Sequence, residues 1–131
     1  MDNQHESLIT PMNPEIKAQW VAALRSGEYK QGNEYLHRGD TFCCLGVLCD
    51  LAIEAGAPEV KENRHPDGSI STYNGSESYL PSSVVEWAGL SCSDPFLVFK
   101  SGEVNECHPV SDFNDCGATF DEIADLIEAQ L

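Results

Sequence analysis

Residues 42–56 read FCCLGVLCDLAIEAG, and their apolar positions do not keep to one side. Leu45, Val47, Leu48, Cys49, Leu51, Ala52 and Ile53 cover nearly the whole circumference of a helix, whereas a surface helix confines its apolar residues to one stripe. The pattern predicts a buried central helix, with Asp50 and Glu54 on a narrow wet side and Gly56 as the left-handed residue that ends it. The flanking segments are amphipathic instead. After Asn13 as cap and Pro14 in the first turn, Ile16, Trp20 and Leu24 recur at i, i+4 and i+8, and Gly27 stops the helix. Lys17 and Arg25 are expected on its other side. Near the C-terminus, Thr119 and Glu122 have capping-box spacing. Phe120, Ile123, Ala124, Ile127 and Leu131 then form a stripe opposite Asp121, Glu122, Asp125 and Glu128.

Between these helices the pattern is short and extended. Residues 34–37 and 41–43 are predicted to pair across Arg38-Gly39-Asp40, a triplet read as a turn and not as an adhesion motif. Residues 60–63 and 69–73 flank a Pro66-Asp67-Gly68 turn, and a short helix over 81–88 carries Val84, Val85 and Trp87 before Gly89. Residues 96–100, FLVFK, are the best strand and turn at Ser101-Gly102 into a second over 103–107, the expected heart of a small antiparallel sheet. Residues 111–117, SDFNDCG, read as a turn. The chain is thus expected to be α+β, with a loose polar arm over 1–12 and one compact domain over 13–131.

A chain of 131 residues with 41% hydrophobic positions can bury a core without staples. No apolar run approaches the roughly 20 residues that cross a bilayer, and the start lacks the charged and apolar blocks of a secretory signal. The expected location is therefore the cytoplasm. Six cysteines read as reduced thiols, because disulfide frameworks belong to short exported chains. With no C-x-x-C spacing, neither a metal nor another cofactor is expected.

Charge narrows the function further. There are 22 acidic against 7 basic residues, a net charge of −15, and phosphate backbones need Lys and Arg to displace counterions, so general nucleic-acid binding is disfavoured. Residues 101–131 hold eight acidic residues and no Lys or Arg, whereas Lys17, Arg25, Lys30 and Arg38 crowd into the first third. Enzyme readings lack a complete set of groups. Cys107 and His108 are adjacent, and strand neighbours point to opposite faces, so a Cys/His-dependent enzyme would need His37 or His65 to meet a cysteine in space. Gly27, Gly32 and Gly39 do not match a phosphate cradle.

Two binding readings remain alongside that enzymatic alternative. In the first, Asp121, Glu122, Asp125 and Glu128 form an acidic face that docks on a basic protein surface. In the second, Arg25, Lys30 and Arg38, with Tyr35 or Tyr29 for stacking, make a pocket that sequesters a small anionic nucleotide signal.

The blocks NPEIKAQWVAALRSGEYKQG, FCCLGVLCDLA, LPSSVVEWAGL and NDCGATFDEIADLIEAQL together resemble small acidic accessory proteins of tailed bacteriophages. The resemblance covers most of the chain and is weakest over residues 57–78. It implies a phage accessory protein in the host bacterial cytoplasm and supplies no catalytic residues. Together with the charge it leads to a non-catalytic protein that binds and neutralises a host factor, a component of an antiviral defence.

Overall fold

A computed structural model describes residues 11–57, 59–101 and 104–131. Residues 1–10 of the expected arm, and the Gly102 turn with the strand start at Glu103, lie outside the described residues. Met12, assigned to the arm by its polar surroundings, is core: it is 2% exposed and its N–H reaches the Leu131 carbonyl at 3.2 Å.

The fold is α+β. Helix α1 (Pro14–Arg25) starts where Asn13 accepts the Glu15 and Ile16 N–H groups, which have no partner inside the helix. Helix α2 (Cys44–Glu54) is the predicted central helix, with Cys44, Leu45, Gly46, Val47, Leu48, Cys49 and Ala52 all buried. Leu51 and Ile53 are only half-buried, so the wet side is wider than the pattern implied. Gly56 follows with φ +77°. Helix α3 (Ser82–Ala88) ends on left-handed Gly89. Helix α4 (Val110–Asp115) corrects the turn expected over 111–117. The residues that read as turn-formers there also suit a single short helix after a proline. Helix α5 (Phe120–Gln130) carries the full Thr119/Glu122 capping box and buries Phe120, Ile123, Ala124 and Ile127.

The main sheet has the strand order β1-β3-β2-β5-β4. Its strands are β1 (Lys30–Gln31), β2 (His37–Arg38), β3 (Thr41–Phe42), β4 (Glu62–Arg64) and β5 (Ile70–Tyr73). All pairs are antiparallel except β1 with β3, which is parallel. Strands β6 (Phe96–Ser101) and β7 (Val104–Pro109) pair antiparallel as expected, but as a two-stranded ribbon separate from the main sheet. The apolar alternation of β6 is spent differently: Leu97 is fully buried, whereas Phe96 and Val98 on the opposite face are exposed.

Helices α1 and α5 pack stripe to stripe. The Trp20 indole donates to the Cys44 carbonyl at 2.9 Å, which pins α1 to the first turn of α2. That first turn has no side-chain cap of its own. Asn114, on α4 and 1% exposed, supplies one from a distance: its Oδ1 accepts the Cys44 N–H at 3.2 Å and the Gln31 amide at 3.0 Å, while its Nδ2 donates to the Gly32 carbonyl at 2.8 Å. One buried amide thus ties helix, sheet edge and loop together, and each group it satisfies would otherwise cost about 1 to 3 kcal/mol.

Candidate functional site

The capping box fixes where α5 begins, and its stripe fixes which side meets α1, so Asp121, Glu122, Asp125 and Glu128 all point outward and are exposed. They are not equally available. Glu122 closes the capping box on the Thr119 N–H at 2.9 Å. The Arg25 guanidinium donates to Asp125 at 2.7 Å and reaches Glu128 at 3.5 Å. Lys17 reaches the Glu128 carbonyl at 3.5 Å. Lys17 and Arg25 therefore border α5, which corrects their placement away from the packed side: a stripe of this width leaves its flanking positions at the helix–helix seam. Asp121 has no ion pair among the described residues.

The other proposed ligands divide. Lys30 and Arg38 each stand opposite Thr41 in the sheet, so the three share one face across neighbouring strands. The Arg38 guanidinium lies 5.2 Å from the Tyr35 ring centre, a cation–π distance. Lys30 approaches Asp40 at 3.7 Å. Arg25 instead lines a depression of about 260 Å³ with Tyr29, Gln31 and Asp121. The four sponge residues Arg25, Lys30, Tyr35 and Arg38 thus do not form one pocket.

Behind the sheet lies a polar network that sequence reasoning missed. His37 Nδ1 is 2.6 Å from Glu62, and the Arg64 guanidinium is 3.2 Å from His37 Nε2. A guanidinium can only donate, so these neighbours assign Nε2 as the bare nitrogen and direct the Nδ1 proton at Glu62. Arg64 also donates to the Gly39 carbonyl at 2.9 Å and the Gly68 carbonyl at 2.5 Å. The His37 ring stacks on Phe42 with centres 3.9 Å apart, and Phe42 meets Tyr29 edge-on. Tyr29 in turn donates to Asp50 at 2.5 Å. The cross-strand register His37–Phe42–Gln31 and Arg64–Ser71–His37 builds this row, and no spacing within one segment signals it.

Chemically the network is closed. His37 has both ring nitrogens engaged and meets Glu62 and Arg64. His65 is exposed on the Pro66-Asp67-Gly68 turn. His108 lies 3.9 Å from Asp112 and edge-on to Phe113. Burial pushes the Tyr29 and Tyr73 hydroxyls up, helped by the charges of Asp50 and Glu62 respectively. All six cysteines are free thiols, with Cys43, Cys44 and Cys49 buried and Cys92, Cys107 and Cys116 exposed. Burial pushes Cys43 to about 11 and raises Cys44 and Cys49 well above a normal thiol, the opposite of what a nucleophile needs.

Among the described residues, no group of three or more His, Cys, Asp or Glu is placed to hold a metal, and no helix is long and apolar enough to cross a membrane. Residues 12–131 match a family model described as Domain of unknown function (DUF8296). Neither a curated protein nor a solved structure matches the chain.

Proposed function

The chain belongs to the DUF8296 family, and from that premise we propose a non-catalytic binding protein whose acidic surface docks on a basic surface of a protein partner. One observation carries the reading. The scarce cations are engaged internally, Arg25 by Asp125, Lys30 by Asp40 and Arg64 by His37, while the chain keeps a net charge of −15. The carboxylates of α5 are exposed and outnumber the cations near them: Arg25 is shared by Asp125 and Glu128, and Asp121, which lines the same depression as Arg25, makes no ion pair among the described residues. Such a surface accelerates encounter with a positive partner and repels nucleic acid.

The resemblance to phage accessory proteins supplies the setting: the host bacterial cytoplasm, with a component of an antiviral defence as the factor neutralised. The burial of Cys43, Cys44 and Cys49 and the engagement of both His37 ring nitrogens support a non-catalytic reading. Affinity capture from expressing bacteria, with the bound proteins identified by mass spectrometry, tests the proposal. A host protein released as salt rises supports it; a purified chain that turns over a substrate overturns it.

A second reading has a specific observation behind it. Lys30, Thr41 and Arg38 stand in one row with Tyr35 beneath the Arg38 guanidinium, an arrangement able to hold a small anion against an aromatic face. The Asp40 carboxylate beside Lys30 opposes it. Calorimetry with nucleotides tests this sponge: heat of binding that Arg38→Ala abolishes would favour it over docking.

A further inference from the structure

A groove of about 300 Å³ beside helix α3 is lined by Ala57, Glu59, Val60, Ser83, Glu86 and Trp87. We propose that this groove seats a lysine or arginine side chain of the protein partner, an inference that rests on the docking reading above and gives it a specific anchor.

The groove is built and not a gap between loose segments. Asn74 stitches its two walls, donating from Nδ2 to the Glu59 carbonyl at 2.5 Å and to the Ser83 hydroxyl at 2.7 Å. Asn74 is itself fixed by a reciprocal pair with Lys61: its N–H reaches the Lys61 carbonyl, and its Oδ1 accepts the Lys61 N–H, both at 2.9 Å. It holds a left-handed φ of +52°, a conformation asparagine tolerates better than most residues.

The lining decides the occupant. Ala57, Val60 and half-buried Trp87 give an apolar floor, and the exposed Glu59 and Glu86 stand on the rim. An anion is repelled by both carboxylates. An apolar plug would bury carboxylates without a partner, at a cost that favours other occupants. A lysine or arginine meets both demands: its aliphatic stem packs on the floor and the indole, and its charged head reaches the rim. Aromatic and arginine contacts of this kind are the residues that dominate protein interfaces.

The test is nuclear magnetic resonance of the full chain titrated with capped tetra-arginine, with capped tetra-glutamate as control. The Trp87 indole N–H and the amides of Glu59, Ser83 and Glu86 should shift saturably with tetra-arginine, the buried Trp20 indole should not, and Glu86→Gln should weaken binding by roughly threefold or more. Glu86 is exposed, so that variant leaves the fold intact. Shifts confined to α5 and unchanged by Glu86→Gln would overturn the groove while leaving the docking reading standing. No shift anywhere would overturn both.

Discussion

Arg25 and Asp125 lie 100 positions apart in sequence and 2.7 Å apart in space, across the seam between α1 and α5. The pair holds a cation against a carboxylate of the proposed docking surface, so its removal tests that reading. Being exposed and screened, it adds little to the fold. Arg25→Ala should leave the thermal midpoint almost unchanged, free Asp125 and Glu128, and strengthen capture of a basic partner. Weaker capture would contradict the docking reading.

The central helix should be the least tolerant element. Leu48→Ala should cost about 2 to 5 kcal/mol through the cavity it opens in a fully buried site. Gly46→Ala should be worse than its single methyl suggests. A Cβ there would sit 1.7 Å from the Leu36 carbonyl oxygen, which is backbone and has little freedom to retreat. Overpacking of this kind exceeds the usual 1 to 3 kcal/mol. Urea unfolding checks both, and a Gly46→Ala midpoint equal to the parent would contradict the close packing of α2 on the Leu36 backbone.

Asn114→Ala removes the remote cap of α2 and leaves the Cys44 N–H and the Gly32 carbonyl short of their partner, while the Gln31 amide keeps the Ala118 carbonyl. A loss of more than about 2 kcal/mol is expected, since each orphaned buried group costs about 1 to 3 kcal/mol. Calorimetric melting measures it. A loss within error would mean that water replaces the amide.

What was legible in the sequence follows from what a local pattern can carry. The helices α1, α2 and α5 announce themselves through caps and stripes, because those depend on residues three or four apart. Asn114 did not, since asparagine among serine and aspartate reads as a turn until its partners at Gln31, Gly32 and Cys44 are known. The row of His37, Phe42 and Arg64 was hidden for the same reason: strands of two to four residues are too short to show an alternation, and their register is set by contacts across the sheet. Of the candidate site, the outward face of α5 was readable from periodicity. That Arg25 partly neutralises it, and that Lys30 and Arg38 align on Thr41, required the tertiary structure.

The thiols provide a pH signature. Cys43, Cys44 and Cys49 are held protonated by burial, so the folded chain keeps protons that an unfolded thiol surrenders near 9. Stability from these groups is fully present below that pH and is lost as pH rises, through about 11 for Cys43. Tyr29 and Tyr73, whose hydroxyls are also pushed up, act in the same direction. Melting temperature should therefore fall across the alkaline range, and alkylation of the native chain at neutral pH should modify Cys92, Cys107 and Cys116 while sparing the three in and before α2. Rapid modification of Cys43 would show that α2 is not the closed core described here.

Most directly decisive is the association rate of the host protein captured by the chain, measured against salt for the parent and for the triple variant Asp121→Asn, Asp125→Asn, Glu128→Gln. Glu122 stays, because its side chain caps α5. If the acidic face drives docking, the variant should associate about tenfold more slowly at low salt, and the two curves should converge as salt screens the field. Rates that neither the substitutions nor the salt alter would contradict the account.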